Sequence, residues 1–225
     1  MNSFEKIYES LYRMYGPQGW WPLITMQNNA VLCAYHPDDF DFPKTQSQIF
    51  EICIGAILTQ NTAWRNVVQA LINLYEINAL NPKTIHSIQI EMLKEAIRPA
   101  GYFNQKAKKI LAFNDLYCSL DHMIPSREQL LSVWGIGPET ADSILLYAYK
   151  QVSFVVDTYT RRIFTNLGLI QAHFTYDEIK KIFERNLNPD IIIFQEYHAL
   201  IVAHAKLYYQ KKNLYALDPL LIQNF

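Results

Sequence analysis

Apolar residues return at helical spacing along almost the whole chain, and this period of about 3.6 decides the fold class before any motif is weighed. Phe4, Ile7, Tyr8 and Leu11 mark a first helix, and Ile49, Ile52, Cys53, Ala56 and Ile57 mark another. Further helical stretches are expected near 63–75, 84–87, 90–97, 104–118, 126–132, 138–148, 157–167, 175–186 and 190–208. Turn residues fill the gaps: Asn81-Pro82, Pro99-Ala100-Gly101, Pro125-Ser126, Gly135 to Pro138, and Asn188-Pro189. The expectation is an all-α protein. Residues 28–45 break the period with proline and acidic clusters, so an inserted loop is expected there. Residues 49–148 would form a central helical bundle carrying the hairpin described below, and 1–27 with 150–225 a terminal helical lobe.

With 225 residues, half of them hydrophobic, the chain can bury a substantial core in one domain or in two small lobes. Fifteen Tyr, twelve Phe and four Trp make the chain aromatic-rich; such rings fill cores or stack on flat ligands. A formal net charge of −1 gives no global field, so a nucleic-acid partner would have to be met by local basic patches. Cys33, Cys53 and Cys118 are odd in number and far apart, which fits reduced thiols better than a disulfide framework. The N-terminal segment MNSFEKIYESLYRMYG places charges inside its apolar pattern and reads as an amphipathic helix, not a signal peptide. No apolar run approaches membrane-spanning length. A soluble cytoplasmic protein, in a bacterial-type cytosol or nucleoid, is expected.

The segment VWGIGPETADSILLYAYKQVSFVVDTYTRRIF, residues 133–164, carries the densest signal. Ser126 can cap a short helix before it, Gly135 and Gly137 supply backbone freedom, and Pro138 suits the first turn of the next helix. The result is helix, hairpin, helix. Such a turn exposes successive amide N–H groups to an anionic oxygen, although Gly-x-Gly-Pro can also simply join two helices. Twenty residues after Gly137, Asp157 follows the apolar run SFVV and is an N-cap candidate for TYTRRIF.

That order and spacing resembles the helix-hairpin-helix DNA glycosylases of the endonuclease III superfamily. WWP at 20–22, FEICIGAILTQNTAW at 50–64, IRPAGYFNQKAKKI at 97–110 and HALIVAHAK at 198–206 resemble the branch that includes 3-methyladenine DNA glycosylase III. The likeness covers nearly the whole chain except 28–45. It implies the HhH-GPD fold, two helical lobes with an interlobe cleft. It also implies that Asp157 is the catalytic carboxylate, that Gln60 is the side chain wedged into the base stack, and that Trp20, Trp21, Pro22 and Phe50 build the pocket for the extruded base. The backbone of the DNA would be held by Gly135, Gly137, Glu139 and Thr140 of the hairpin. Lys106, in the local basic excess of Lys94, Arg98, Lys106, Lys108 and Lys109, and Arg161, beside Arg162, would add cationic contacts. In this branch Lys206 is expected as a pocket-adjacent amine, open to carbamylation if desolvated.

Two departures from the family pattern are informative. Bifunctional members place a Schiff-base lysine two residues after the second glycine, where this chain has Glu139. Many relatives end in four cysteines that ligate an iron–sulfur cluster; from residue 198 onward this chain has none and offers Tyr209, Tyr215 and Asp218. The resemblance therefore implies a monofunctional, monomeric DNA glycosylase without AP lyase activity, metal or iron–sulfur cluster. It would hydrolyse the N-glycosidic bond of alkylated purines such as 3-methyladenine, in double-stranded DNA containing a damaged base, during base excision repair. The alternatives are a glycosylase for an oxidised or mismatched base, and a noncatalytic DNA-damage binder, for which a retained Asp157 has no use.

Overall fold

The computed structural model describes residues 1–210 and 212–223. Its helices are α1 (Ser3–Tyr15), α2 (Gln46–Leu58), α3 (Trp64–Glu76), α4 (Pro82–Ser87), α5 (Ile90–Ala96), α6 (Phe103–Ser119), α7 (Arg127–Ser132), α8 (Pro138–Ser143), α9 (Thr158–Asn166), α10 (Tyr176–Asn186) and α11 (Ile191–Tyr208). Strands β1 (Leu23–Gln27) and β2 (Ala30–Ala34) lie between α1 and α2. Short 3-10 turns occupy Arg98–Ala100, Lys212–Leu217 and Pro219–Ile222. The apolar period thus becomes helix wherever it was strong.

The chain divides into two compact units: Trp21–His36 with Asp41–Lys150, and Met1–Trp20 with Pro37–Phe40 and Gln151–Phe225. In the first, α2 is buried at every position from Phe50 to Leu58, as expected of a helix apolar on nearly all sides, with Glu51 the charged exception. Thr45 and Gln48 close its start with a reciprocal capping box. Gly55 is needed on α2 for closeness: a β-carbon there would meet the Trp21 indole at 3.1–3.4 Å. Trp21 in turn packs edge-on against Trp64 and Tyr147.

Where a loop was expected from residue 28, the structure has instead the second strand of an antiparallel hairpin, with Leu23 opposite Ala34 and Gln27 opposite Ala30. Asn28 and Asn29 both take positive φ, 50° and 61°, which is what a two-residue hairpin turn requires. The strands were hidden because neither has a buried face: beyond Leu23 every residue is at least partly exposed, so no alternation is written into the sequence.

The second unit is held by rings from α1, α9, α10, α11 and the extended segment before α9. Phe154 stacks on Phe183 at 4.2 Å, Phe4 stacks on Phe164 at 5.4 Å, and the buried Tyr197 hydroxyl donates to the Phe4 carbonyl oxygen at 2.8 Å. Much of the aromatic excess is therefore core.

Candidate DNA-repair site

The hairpin joining α7 to α8 belongs to the first unit. Ser126 and Gln129 form a capping box at the start of α7, and Pro138 opens α8 behind Gly137. The two helices are buckled by a bidentate pair: Arg127 Nε and Nη2 donate to Asp142 Oδ1 and Oδ2 at 2.9 and 3.2 Å, with the Asp142 side chain fully buried. After Ser143 the helix widens into a π turn, Ile144–Ala148, where Tyr149 N–H reaches the Ile144 carbonyl. Of the two glycines, Gly135 has the left-handed φ of +83°. Gly137 is extended, and a β-carbon on it would meet nothing within 4 Å.

Gln60, just beyond α2, is tied to this hairpin. Its amide nitrogen donates to the Gly135 carbonyl at 3.1 Å and to Thr140 Oγ1 at 3.0 Å, and its amide oxygen accepts from Lys109 Nζ. With one end of the amide donating and the other accepting, the side chain has a single favourable orientation. An open groove of about 240 Å³ beside it is lined by Gln60, Asn61, Tyr102, Gln105, Lys106 and Lys109. Tyr102 and Asn61 both take positive φ, and Tyr102 is 70 % exposed, an aromatic residue that the sequence alone did not single out.

Asp157 belongs to the second unit. It is the N-cap of α9, and its Oδ1 accepts from Thr160 N–H at 2.6 Å and Thr160 Oγ1 at 2.7 Å. Oδ2 takes no part in the cap and lies 4.0 Å from Nε2 of His198, a buried residue of α11. Burial pushes the His198 imidazole below its ordinary value while the Asp157 charge pulls it up; burial wins. The Trp20 ring stands edge-on to His198 at 6.2 Å and 89°. The segment bearing Trp20 is anchored by Glu196, whose buried carboxylate accepts from Gln18 N–H at 2.7 Å and Gly19 N–H at 3.1 Å.

Several of the expected site residues have partners or burial of their own in the structure. Lys106 is no backbone contact: it is 2 % exposed, and its ammonium donates to the Leu58 and Ala100 carbonyls at 2.7 and 2.8 Å and to Thr62 Oγ1. Burial, helped by nearby Lys109, lowers its pKa to about 8. Lys109, one helical turn on, is the lysine at the hairpin. Arg161 gives a guanidinium N–H to the Phe174 carbonyl and so braces a local loop. Phe50 is wholly buried against Phe113 and Tyr117, and Trp21 and Pro22 are buried too, so Trp20 is the partly open member of that set. Lys206 is exposed, with its ammonium 6.0 Å from the Trp20 ring centre, so the desolvation on which carbamylation was expected is missing. Glu139 is exposed on α8, its carbonyl accepting from Ser143 Oγ at 2.7 Å. His198, Thr160, Glu196 and Tyr102 were missed. For Thr160 a signal existed, since a hydroxyl three residues after an N-cap is placed to bond it.

Among the described residues no helix is long and apolar enough to cross a membrane, and no group of three or more His, Cys, Asp or Glu could hold a metal ion.

The chain is 43 % identical to a candidate DNA repair glycosylase of Methanocaldococcus jannaschii over 95 % of its own length and 93 % of the relative's. It is 29 % identical to endonuclease III of Sulfolobus acidocaldarius, covering 72 % and 74 % of the two chains. Among solved structures, it resembles the H. pylori 3-methyladenine DNA glycosylase bound to 1,N6-ethenoadenine, with TM-score 0.70, 28 % identity and coverage of 92 % and 98 %. An endonuclease III–DNA complex shares the fold, with TM-score 0.75 at 18 % identity over 98 % and 94 % of the chains. The sequence profile of the HhH-GPD superfamily matches residues 54–189, which run from the buried end of α2 through the hairpin and Asp157 to the turn before α11. With most of the chain inside that match and a close relative along nearly all of it, the protein belongs to the HhH-GPD superfamily of base excision DNA repair proteins.

Proposed function

We propose that the protein is a monofunctional DNA glycosylase that hydrolyses the N-glycosidic bond of alkylated purines, 3-methyladenine foremost. The observation that carries this reading is the division of labour on Asp157: Oδ1 is saturated by Thr160, and Oδ2 is left outside the cap. As the glycosidic bond breaks, positive charge develops on the sugar, and a fixed carboxylate oxygen beneath it lowers the barrier. A base already cationic through alkylation departs neutral, so one carboxylate suffices. The Trp20 ring has a cationic ammonium 6.0 Å from its centre, the attraction by which an indole would receive a cationic purine.

The target nucleotide must leave the duplex stack, and in this reading Gln60 enters the gap while Tyr102 offers a face beside it. At Gly137, the N-cap of α8, a β-carbon would meet nothing within the chain, and in this reading the open space leaves the backbone accessible to a phosphate oxygen. Glu139 cannot form the Schiff base through which lyase chemistry proceeds. The residues do not fit an iron–sulfur cluster either: the sequence has three cysteines, and Tyr209, Tyr215 and Asp218 stand in the tail.

The test is incubation with duplexes carrying 3-methyladenine, 7-methylguanine, uracil or thymine glycol. Free 3-methyladenine without strand scission before alkali is expected, and Asp157→Asn should bind but not turn over. Preferential release of thymine glycol would instead favour the oxidised-base reading suggested by the endonuclease III relatives, and a borohydride-trapped adduct would refute the monofunctional assignment.

A further inference from the structure

His198 is buried beside the carboxylate and has no part in the reaction as described so far. Its side chain is 7 % exposed, and its Nε2 lies 4.0 Å from Asp157 Oδ2. That distance is too long for a hydrogen bond, yet shorter than two bonds of about 2.8 Å end to end, so one water can touch both atoms. Because Oδ1 is held by Thr160, a water drawn to Asp157 meets Oδ2 and, with it, the imidazole. Asp157 is a charged group that acts on the ring. Glu196, two residues earlier on α11, is spent on the Gln18 and Gly19 amides; Tyr15 of α1 and Asp218 of the tail bond His204; Lys206 lies by Trp20.

Building on the glycosylase reading above, we propose that His198 is the general base of the hydrolysis, taking a proton from a water held between its Nε2 and Asp157 Oδ2. The water oxygen forms its bond to C1′ as the bond from C1′ to the base nitrogen breaks, and that electron pair leaves with the base. One water proton passes to Nε2, and the resulting imidazolium later releases it to solvent. The two carried roles are separate: Asp157 faces the charge on the sugar, and His198 receives the proton. Burial keeps the ring neutral at rest, and the adjacent carboxylate stabilises it once charged, the combination a base needs.

Single-turnover release of 3-methyladenine, followed from about pH 5 to 9 across the ordinary histidine range, tests this. The wild-type rate should fall on the acid side with a midpoint below the usual histidine value of about 6.5. His198→Gln should lose about 100-fold at neutral pH and lose that acid limb, while binding to a duplex with an abasic-site analogue stays within about twofold. A variant with wild-type rate overturns the assignment, and so does a slowed variant that keeps the limb, since that is structural support alone. Should His198→Gln fail to fold, the wild-type profile decides: no acid limb means no histidine base. A wild-type protein that releases no base from any of the lesion duplexes refutes the glycosylase reading itself, an outcome distinct from an active enzyme indifferent to His198.

Discussion

Lys109 lies across Gly135 so closely that a β-carbon built on the glycine would sit 2.5 Å from Lys109 Cε and 2.7 Å from Cγ. The same lysine reaches on to the Gln60 amide, so a single side chain covers the hairpin and fixes the residue proposed to enter the base stack. Gly135 is thus required twice, for its φ of +83° and for the space above it. Gly135→Ala should destabilise by roughly 1–3 kcal/mol in urea unfolding. Adding Lys109→Ala should return the contact part and leave the backbone part, a non-additive cycle. Strict additivity would mean that Lys109 does not rest on the glycine.

The Arg127–Asp142 pair predicts how the hairpin fails. Asp142 is completely buried, and both of its oxygens accept from one guanidinium. Removing the cation leaves a carboxylate buried without that partner, which costs about 3–5 kcal/mol. Arg127→Ala should therefore be far worse than replacing both residues by apolar ones of similar volume. Thermal melting of the single and double variants separates these, and equal losses would show that the pair contributes only packing.

Two positions where relatives are expected to carry cluster cysteines, Tyr209 and Asp218, instead share a buried polar clasp. Asp218 Oδ1 is 2.9 Å from His204 Nε2 and accepts from Leu220 N–H at 2.8 Å, while Oδ2 accepts from the Tyr209 hydroxyl. Tyr15 bonds the other nitrogen of His204, and Asn166 donates to Tyr209. Burial pushes the Asp218 carboxyl up, but these donors outweigh it and hold it below the usual range. Its contribution is therefore present at neutral pH and is lost as pH falls through that depressed value. Asp218→Ala should cost about 2–4 kcal/mol at neutral pH and expose the tail to protease, since it orphans several buried donors at once. Unchanged proteolysis would show that apolar packing alone retains the tail.

Much of this was legible because helices advertise themselves: the apolar period located α1 to α11, and Asp157 before Thr-Tyr-Thr announced a cap. What failed to show was partnership at long range. Lys106 looks like any surface lysine until the fold brings Leu58, Thr62 and Ala100 around its ammonium. His198 reads as one polar residue on a buried helix, and only packing of α11 against α9 sets it beside Asp157. Trp20 and Trp21 are neighbours in sequence with opposite fates, one partly open and the other core, a difference that adjacency in sequence does not reveal.

Glu51 gives a prediction whose sign depends on pH. It sits on α2 at 6 % exposure, and its Oε1 accepts from Ile24 N–H of β1 at 2.6 Å. Burial raises its pKa from 4.5 to about 7, with the Ile24 amide opposing the shift. Between those values the folded chain keeps a proton that the unfolded chain gives up. Stability from this group is therefore full below 4.5 and is lost as pH rises through about 7. Glutamine keeps an acceptor for Ile24 and has no charge to desolvate. Glu51→Gln should match the wild type in acid and exceed it by about 2–3 kcal/mol above pH 8, read from urea midpoints at both pH values. A stability difference of the same size at both would mean that the buried carboxyl does not titrate in this range.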